Sequence, residues 1–303
     1  MWSLIRVGAL RLGLAGWALA LCAVAGQAQE RGGLPNAPAA AELTTPPARE
    51  ALTDAPVAKS WSLLQSELGL DAQASVVQDQ DIDISWKKLP TRILRDQKEI
   101  WLFPLQLAKG HYWIPTLAVV GGTAGLIAAD PHAMPYFRTH AGNWDDFNDA
   151  FDGPITNAET ALVPVTLFLV GEARHDTYAS KTSLLAGEAY VDGTIVYVAL
   201  KGTTRRTRPK DVAAGTPFND TFFNTRKSAF GSSFPSGHAV SAFSIATVVA
   251  RRYGHHRWVP WVAYGAAMAI SFSRVTTRAH FPSDVFVGAA LGYSIARFEV
   301  LRH

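Results

Sequence analysis

The chain has 303 residues, enough for one large domain or two small ones. Hydrophobic residues make up 48% and charged residues 17%, and the formal net charge of +3 is carried in short basic runs, which excludes a nucleic-acid binder working through a broad basic face. The single cysteine, Cys22, excludes an intramolecular disulfide framework.

Residues 1–28 have the layout of a secretory signal peptide. Arg6 and Arg11 precede an apolar run over 12–25, and Ala23-Val24-Ala25 or Gly26-Gln27-Ala28 offers the small residues a signal peptidase needs. The expectation is an exported protein, periplasmic or attached to a membrane on its periplasmic side. Cleavage would remove Cys22, which suits an oxidising compartment. Residues 29–60 are rich in Ala, Pro and Thr and read as a disordered linker. Residues 61–109 read as an amphipathic extension: helical over 62–70, a loop over 79–83, and an apolar rhythm over 92–107 interrupted by Pro104.

Six apolar stretches follow, at 113–129, 160–170, 184–200, 239–251, 258–272 and 284–298. Their Gly and Ala content, with weak strand-like alternation, predicts helices packed through small residues, and so an all-α bundle of about six core helices over 110–303. Most of the stretches are shorter than the ~20 residues that a bilayer crossing needs. Six crossings also conflict with the signal peptide. The positive-inside rule puts Arg174, Lys181, Arg251, Arg252, Arg257 and Arg302 in the cytoplasm, whereas six crossings from an exported start put them outside. Either fewer than six of the helices span, or they form a compact periplasmic bundle resting on a membrane.

Three segments place reactive residues where a polar loop meets an apolar helix: KGTTRRTRP at 201–209, FPSGH at 234–238 and SRVTTRAHFPSD at 273–284. Such junctions line pockets between helices. Lys201, Arg208 and Arg274 are cations able to converge on one phosphoryl group, and the arginine fork matches phosphate oxygens. Ser236 and the Gly237 N–H sit at a helix N-terminus, which favours an anion, and glycine lets that anion approach the backbone. Asp284 follows His280 by four residues, so in a helical segment the two share a face. The carboxylate can then hold one ring nitrogen as N–H and leave the other free to attack. His238 is the natural proton donor to a leaving alcohol. None of these steps demands a metal.

These three segments resemble the signature motifs of the type 2 phosphatidic acid phosphatase and vanadium haloperoxidase superfamily: Lys, six residues, Arg-Pro; then Pro-Ser-Gly-His; then Ser-Arg, five residues, His, three residues, Asp. The resemblance covers roughly 110–300 and implies an all-α helical bundle. It makes His280 the nucleophile that becomes phosphorylated, with Asp284 orienting it and His238 as general acid. Lys201, Arg208, Ser236, Gly237 and Arg274 bind the phosphate. Arg205, Arg206 and Arg278 are further cations to which the family pattern gives no role, and they read as substrate or phospholipid contacts.

The function expected is a metal-independent phosphatase acting on phosphomonoesters or diphosphates, a lipid phosphate above all, at a membrane surface or bilayer. The alternatives are a vanadate-dependent haloperoxidase, whose vanadate mimics the phosphoryl transition state, and a non-enzymatic lipid- or phosphate-binding protein. Elsewhere, Asp145, Asp146, Asp149 and Asp152 read as a capping or surface face rather than a calcium loop, and His255-His256 as a solvated basic loop. Glu188 and Asp192 read as a satisfied buried pair. The aromatics Phe218, Phe222, Phe223, Phe230 and Phe234 fit either a small loop core or a lipid contact.

Overall fold

The computed structural model describes residues 82–151, 156–225, 228 and 231–302, which lie in one compact unit. The signal-peptide, linker and 62–70 helix readings, along with Phe230 and Asp152, lie outside the described residues. The regular structure of the described residues is helical, as expected, with eight α-helices and no strand. These are α1 (Leu89–Ala108), α2 (Trp113–Thr139), α3 (Asp145–Phe151), α4 (Thr156–Ala173), α5 (Thr177–Thr204), α6 (Gly237–Arg252), α7 (Val259–Thr276) and α8 (Pro282–Ser294). The six apolar stretches are α2 and α4–α8.

Helix α1 is continuous through Pro104, so the expected interruption is absent. It carries Pro90 in its first turn, where no intrahelical N–H is lost. The residues it buries are polar, Arg92 and Asp96. Arg92 Nε donates to both carboxylate oxygens of Glu188 at 2.9 and 3.1 Å, its Nη2 donates to the Val300 carbonyl at 3.1 Å, and Gln97 Nε2 reaches Asp192 Oδ1 at 2.8 Å. Glu188 and Asp192 thus bond to α1 rather than to each other. A buried carboxylate needs such a partner, so these bonds fasten α1 to the centre of the bundle.

Helix α2 runs ten residues past the expected end at 129, through Pro131 and Pro135. Asp130 ends the apolar run in the sequence, yet it is fully buried and its charge is answered from another part of the chain. Helix α5 starts on Asp176, whose Oδ1 accepts from the N–H groups of Tyr178 and Ala179 at 2.9 and 3.0 Å. This helix crosses the core and delivers Lys201 in its last turn. Asp145 and Asp146 lie in the first turn of α3, where carboxylates suit the helix dipole.

Helices α6 and α8 approach to near backbone contact. A Cβ on Gly292 would lie 2.3 Å from the Val240 carbonyl oxygen, and one on Gly288 would lie 2.6 Å from that of Ser236. Only glycine permits this separation. The Ser244 hydroxyl donates to the Gly292 carbonyl at 3.3 Å across the same seam. The seam brings the N-termini of α6 and α8 side by side, with Ser236 N donating to the Asp284 carbonyl at 3.0 Å.

Candidate active site

The three motif segments meet at one end of the bundle. The last turn of α5 supplies Lys201 and the loop after it Arg208. The first turn of α6 brings Ser236, Gly237 and His238. Arg274 is in the last turn of α7, His280 in the loop to α8, and Asp284 in the first turn of α8. His238 lies within the fields of Arg274, His280, Lys201 and Arg208, and His280 within those of Lys201, Arg208 and Asp284. All eight residues singled out from the sequence therefore fall in one neighbourhood.

The orientation of His280 differs from the expectation. Its Nδ1 lies 2.6 Å from the Ser233 carbonyl oxygen and 3.7 Å from Asp284 Oδ2. A carbonyl only accepts, so Nδ1 carries the proton and Nε2 keeps its lone pair. The backbone, rather than the carboxylate, takes the N–H bond. Asp284 is otherwise engaged: it accepts from the Phe281 N–H at 2.8 Å, capping α8, from the Ser233 hydroxyl, and from Arg206 Nη1 at 2.6 Å. Burial opposes its ionisation, but His280, Arg206 and the Ser233 hydroxyl together hold its carboxyl below the usual range. It acts on the ring as a nearby negative charge.

Burial is also the main reason His280 is pulled down to about 4. The cations Lys201 and Arg208 add to this, and Asp284 opposes it. His238 is driven far below its ordinary value, first by burial and then by Arg274, His280, Lys201 and Arg208. Lys201 falls to about 8 through burial and the neighbouring Arg208. These buried cations and histidines disfavour one another's charge, and an anion placed among them relieves it.

The phosphate-binding candidates are anchored by their far sides. Arg274 donates from Nη2 to the Phe151 carbonyl at 3.0 Å and from Nε to Ser273 Oγ at 3.2 Å, while its Nη1 lies 3.4 Å from His238 Nε2. Arg208 Nε reaches the Gly231 carbonyl at 3.3 Å. Lys201 Nζ stands 5.4 Å from the centre of the Tyr197 ring. That ring also packs on Gly237, where a Cβ would meet it at 3.0 Å. The fully buried Ser236 hydroxyl accepts from the Ala239 N–H at 3.5 Å, capping α6.

Arg206 departs from its expected role. It is 1% exposed and faces inward, not toward substrate or lipid. Its Nη1 donates to Asp284 Oδ1 at 2.6 Å and to the Ser283 hydroxyl at 2.7 Å, its Nη2 to Asp130 Oδ2 at 2.7 Å, and its Nε to Thr221 Oγ1 at 3.1 Å. The guanidinium lies 3.8 Å from the Phe281 ring centre and 4.3 Å from that of Phe222. Phe222 packs on Phe234, and Phe218 is buried against Phe281. These loop aromatics form a small core around Arg206, and Phe223 alone among the described ones is exposed. Sequence reasoning missed Asp130, Ser233 and Ser283. The available signal was Asp130 itself, a lone acid at the end of an apolar run, which requires a buried cation.

Among the described residues, Asp96, Glu188 and Asp192 form a further carboxylate group, with ligand atoms within 4.8 Å of one another. Arg92 and Gln97 already engage it. Its α5 members, Asp192 and Glu188, lie about 14 and about 20 Å before Lys201 at 1.5 Å per residue, and so apart from the end where the motif segments meet.

Residues 182–302 match the family model described as the PAP2 superfamily, from within α5 to the end of the described chain. The lipid A 1-phosphatase of Porphyromonas gingivalis is 39% identical over 61 residues, 20% of this chain and 14% of that protein. The bacitracin transport permease protein BcrC of Bacillus licheniformis is 36% identical over 66 residues, 22% of this chain and 31% of that protein. The chain thus spans less than a third of the length of either relative. No solved structure matches it. The stretch that matches the PAP2 superfamily model, 182–302, contains both histidines and the cations of this site.

Proposed function

We propose that the protein is a phosphatase that hydrolyses a lipid phosphate through a phosphohistidine intermediate. The observation that carries this reading is the convergence of His280, His238 and the cations Lys201, Arg208 and Arg274 at one end of the bundle, with the His280 tautomer fixed by Ser233. In the first step His280 Nε2 attacks phosphorus, the P–O bond to the leaving group breaks, and His238 gives that oxygen its proton. In the second, water attacks the phosphohistidine, His238 takes a proton from it, and the P–N bond breaks to release inorganic phosphate and regenerate His280. Lys201, Arg208, Arg274 and the N–H groups at the start of α6 stabilise the charge on the pentavalent phosphorus. No metal enters these steps. The lowered proton affinity of His238 fits this order. Bound phosphate offsets the surrounding cations, so the ring gains its proton only when substrate is in place.

The lipid part rests on the outer surface. Helix α2 is long and apolar enough to cross a membrane by length and composition, and almost none of it is covered by the rest of the protein. Ile114, Leu117 and Val120 on α2, Leu162, Val165 and Leu169 on α4, and Trp101 to Phe103 on α1 are exposed, Ile114 to 84%. Helix α5 passes the same test but is half covered, as suits a central helix. A surface of this kind is stable against acyl chains and unstable in water. The relative named lipid A 1-phosphatase points to the same substrate class. The test is phosphate release from lipid A 1-phosphate, phosphatidate and an isoprenyl diphosphate in mixed micelles, with a soluble phosphomonoester alongside. Release from the lipids with accumulation of phosphohistidine is expected. Full activity in His280→Ala would overturn the mechanism, and preference for the soluble ester would overturn the lipid assignment.

A further inference from the structure

Arg206 forms the middle of a buried relay that begins on α2, more than fifty residues before the segment that matches the family. Asp130 on α2 is fully buried. Its Oδ2 accepts from Arg206 Nη2 at 2.7 Å and from the Ser283 hydroxyl, and its Oδ1 accepts from the Ser283 N–H at 3.2 Å. Arg206 Nη1 in turn donates to Asp284 Oδ1 at 2.6 Å. Asp284 stands 3.7 Å from the ring nitrogen of His280 and bonds the Ser233 side chain, whose own carbonyl holds that ring. Each carboxylate of the relay is engaged on both oxygens. One guanidinium joins them, and Phe281 and Phe222 pack on it. Charged hydrogen bonds inside a low-dielectric core are short and directional, so the relay fixes positions to a fraction of an ångström.

We propose that Asp130 and Arg206 are positioning residues for the nucleophile. Asp130 holds the Arg206 fork, and Arg206 fixes both the place and the effective charge of Asp284 beside His280. Neither residue touches the substrate. The proposal rests on the phosphohistidine reading above. It assigns α2 a part in catalysis that the matched segment, 182–302, does not contain.

The relay sets a sign. The groups that bear on His280 are Lys201 from α5, Arg208 from the following loop, His238 from α6 and Asp284 from α8; Arg206 and Asp130 act behind Asp284. Arg206→Gln removes the cation that balances Asp284, so the carboxylate bears more strongly on His280 and favours its protonated form. Asp130→Asn frees Arg206 to balance Asp284 alone, with the opposite effect. The acid limb of kcat/KM should therefore move up in Arg206→Gln and down in Asp130→Asn. A loss of structure alone would move neither, or both the same way.

The experiment uses the full chain in mixed micelles, with phosphohistidine trapped by alkaline quench, because acid hydrolyses the P–N bond. Expected results are kcat reduced about 10- to 100-fold in Arg206→Lys and Arg206→Gln, as for a small misplacement of a reacting group. KM and inhibition by vanadate should stay within about twofold, because Lys201, Arg208 and Arg274 are untouched. Unchanged kcat per folded enzyme, an equal loss of vanadate affinity, or limbs that move together would overturn the proposal. If the Arg206 variants do not fold, Ser283→Ala removes a single hydroxyl from the relay, and unchanged phosphohistidine formation there would overturn it as well. Absence of phosphohistidine in the unmodified protein would instead defeat the proposed function.

Discussion

The backbone carbonyl of Ser233 lies 2.6 Å from Nδ1 of His280, closer than Asp284 at 3.7 Å. The tautomer of the nucleophile is therefore set by main chain. In enzymes where a carboxylate sets it, amide substitution leaves the wrong nitrogen protonated. Here Asp284→Asn should keep the Nδ1–H form of His280, visible in the nitrogen NMR shifts of the ring, while kcat falls about 100-fold from lost positioning. A switch to the Nε2–H form would contradict this assignment.

The pH dependence follows from two groups. His280 attacks only when neutral, and its lowered value puts the loss of activity below about 4. Lys201 binds phosphate only when charged, and its lowered value puts the loss of binding above about 8. kcat/KM should form a bell between these limits. Lys201→Arg keeps its charge to high pH and should extend the alkaline limb upward, and an unmoved limb would remove Lys201 as its source.

The glycine seam makes a stability prediction. A methyl group on Gly292 would meet the Val240 carbonyl at 2.3 Å, with backbone on both sides and no flexible side chain to yield. Gly292→Ala should cost about 1–3 kcal/mol, the usual range for overpacking, with Gly292→Val costing more. Gly187, whose added Cβ meets nothing within 4 Å, is the control. Denaturant midpoints compare the two.

Removal of Arg92 should destabilise the bundle by about 1–3 kcal/mol, because Glu188, already raised to about 8 by burial, would be left as a buried carboxyl without its guanidinium partner. The double variant Arg92→Met, Glu188→Leu should recover most of that loss. Thermal unfolding of the single and double variants measures the difference.

Ile114→Asp together with Leu117→Asp should reduce partition into phospholipid vesicles and slow turnover of a lipid phosphate. The rate on a soluble ester should change little, since neither residue reaches the catalytic end. Sedimentation with vesicles and the two assays check it.

The helical fold could be read from the sequence because α2 and α4–α8 are apolar over most of their length, and the candidate site residues could be picked out because the chemistry of each motif is local. Other features were hidden for definable reasons. Helix α1 packs through Arg92 and Gln97, polar residues that look solvent-facing until their partners on α5 are known. The end of α2 was misplaced because Asp130 reads as a stop, and the residue that neutralises it lies 76 positions away. Arg206 looked like one more cation in a basic run, since nothing local distinguishes it from Arg205, which caps α5 in a left-handed conformation. His280 lies in the loop before α8 rather than on a helical face shared with Asp284, and the carbonyl that orients its ring belongs to Ser233; a main-chain acceptor leaves no trace in residue identity.

The position of Asp130 bears on how this protein can be taken apart. A fragment cut to the boundaries of the matched segment would retain every motif residue and yet strand Arg206 in an apolar interior with one carboxylate instead of two. The smallest portable unit of the fold therefore includes α2, and grafts or truncations that respect only the motif borders discard the carboxylate that clasps Arg206 along with a helix that looks like mere lipid cladding.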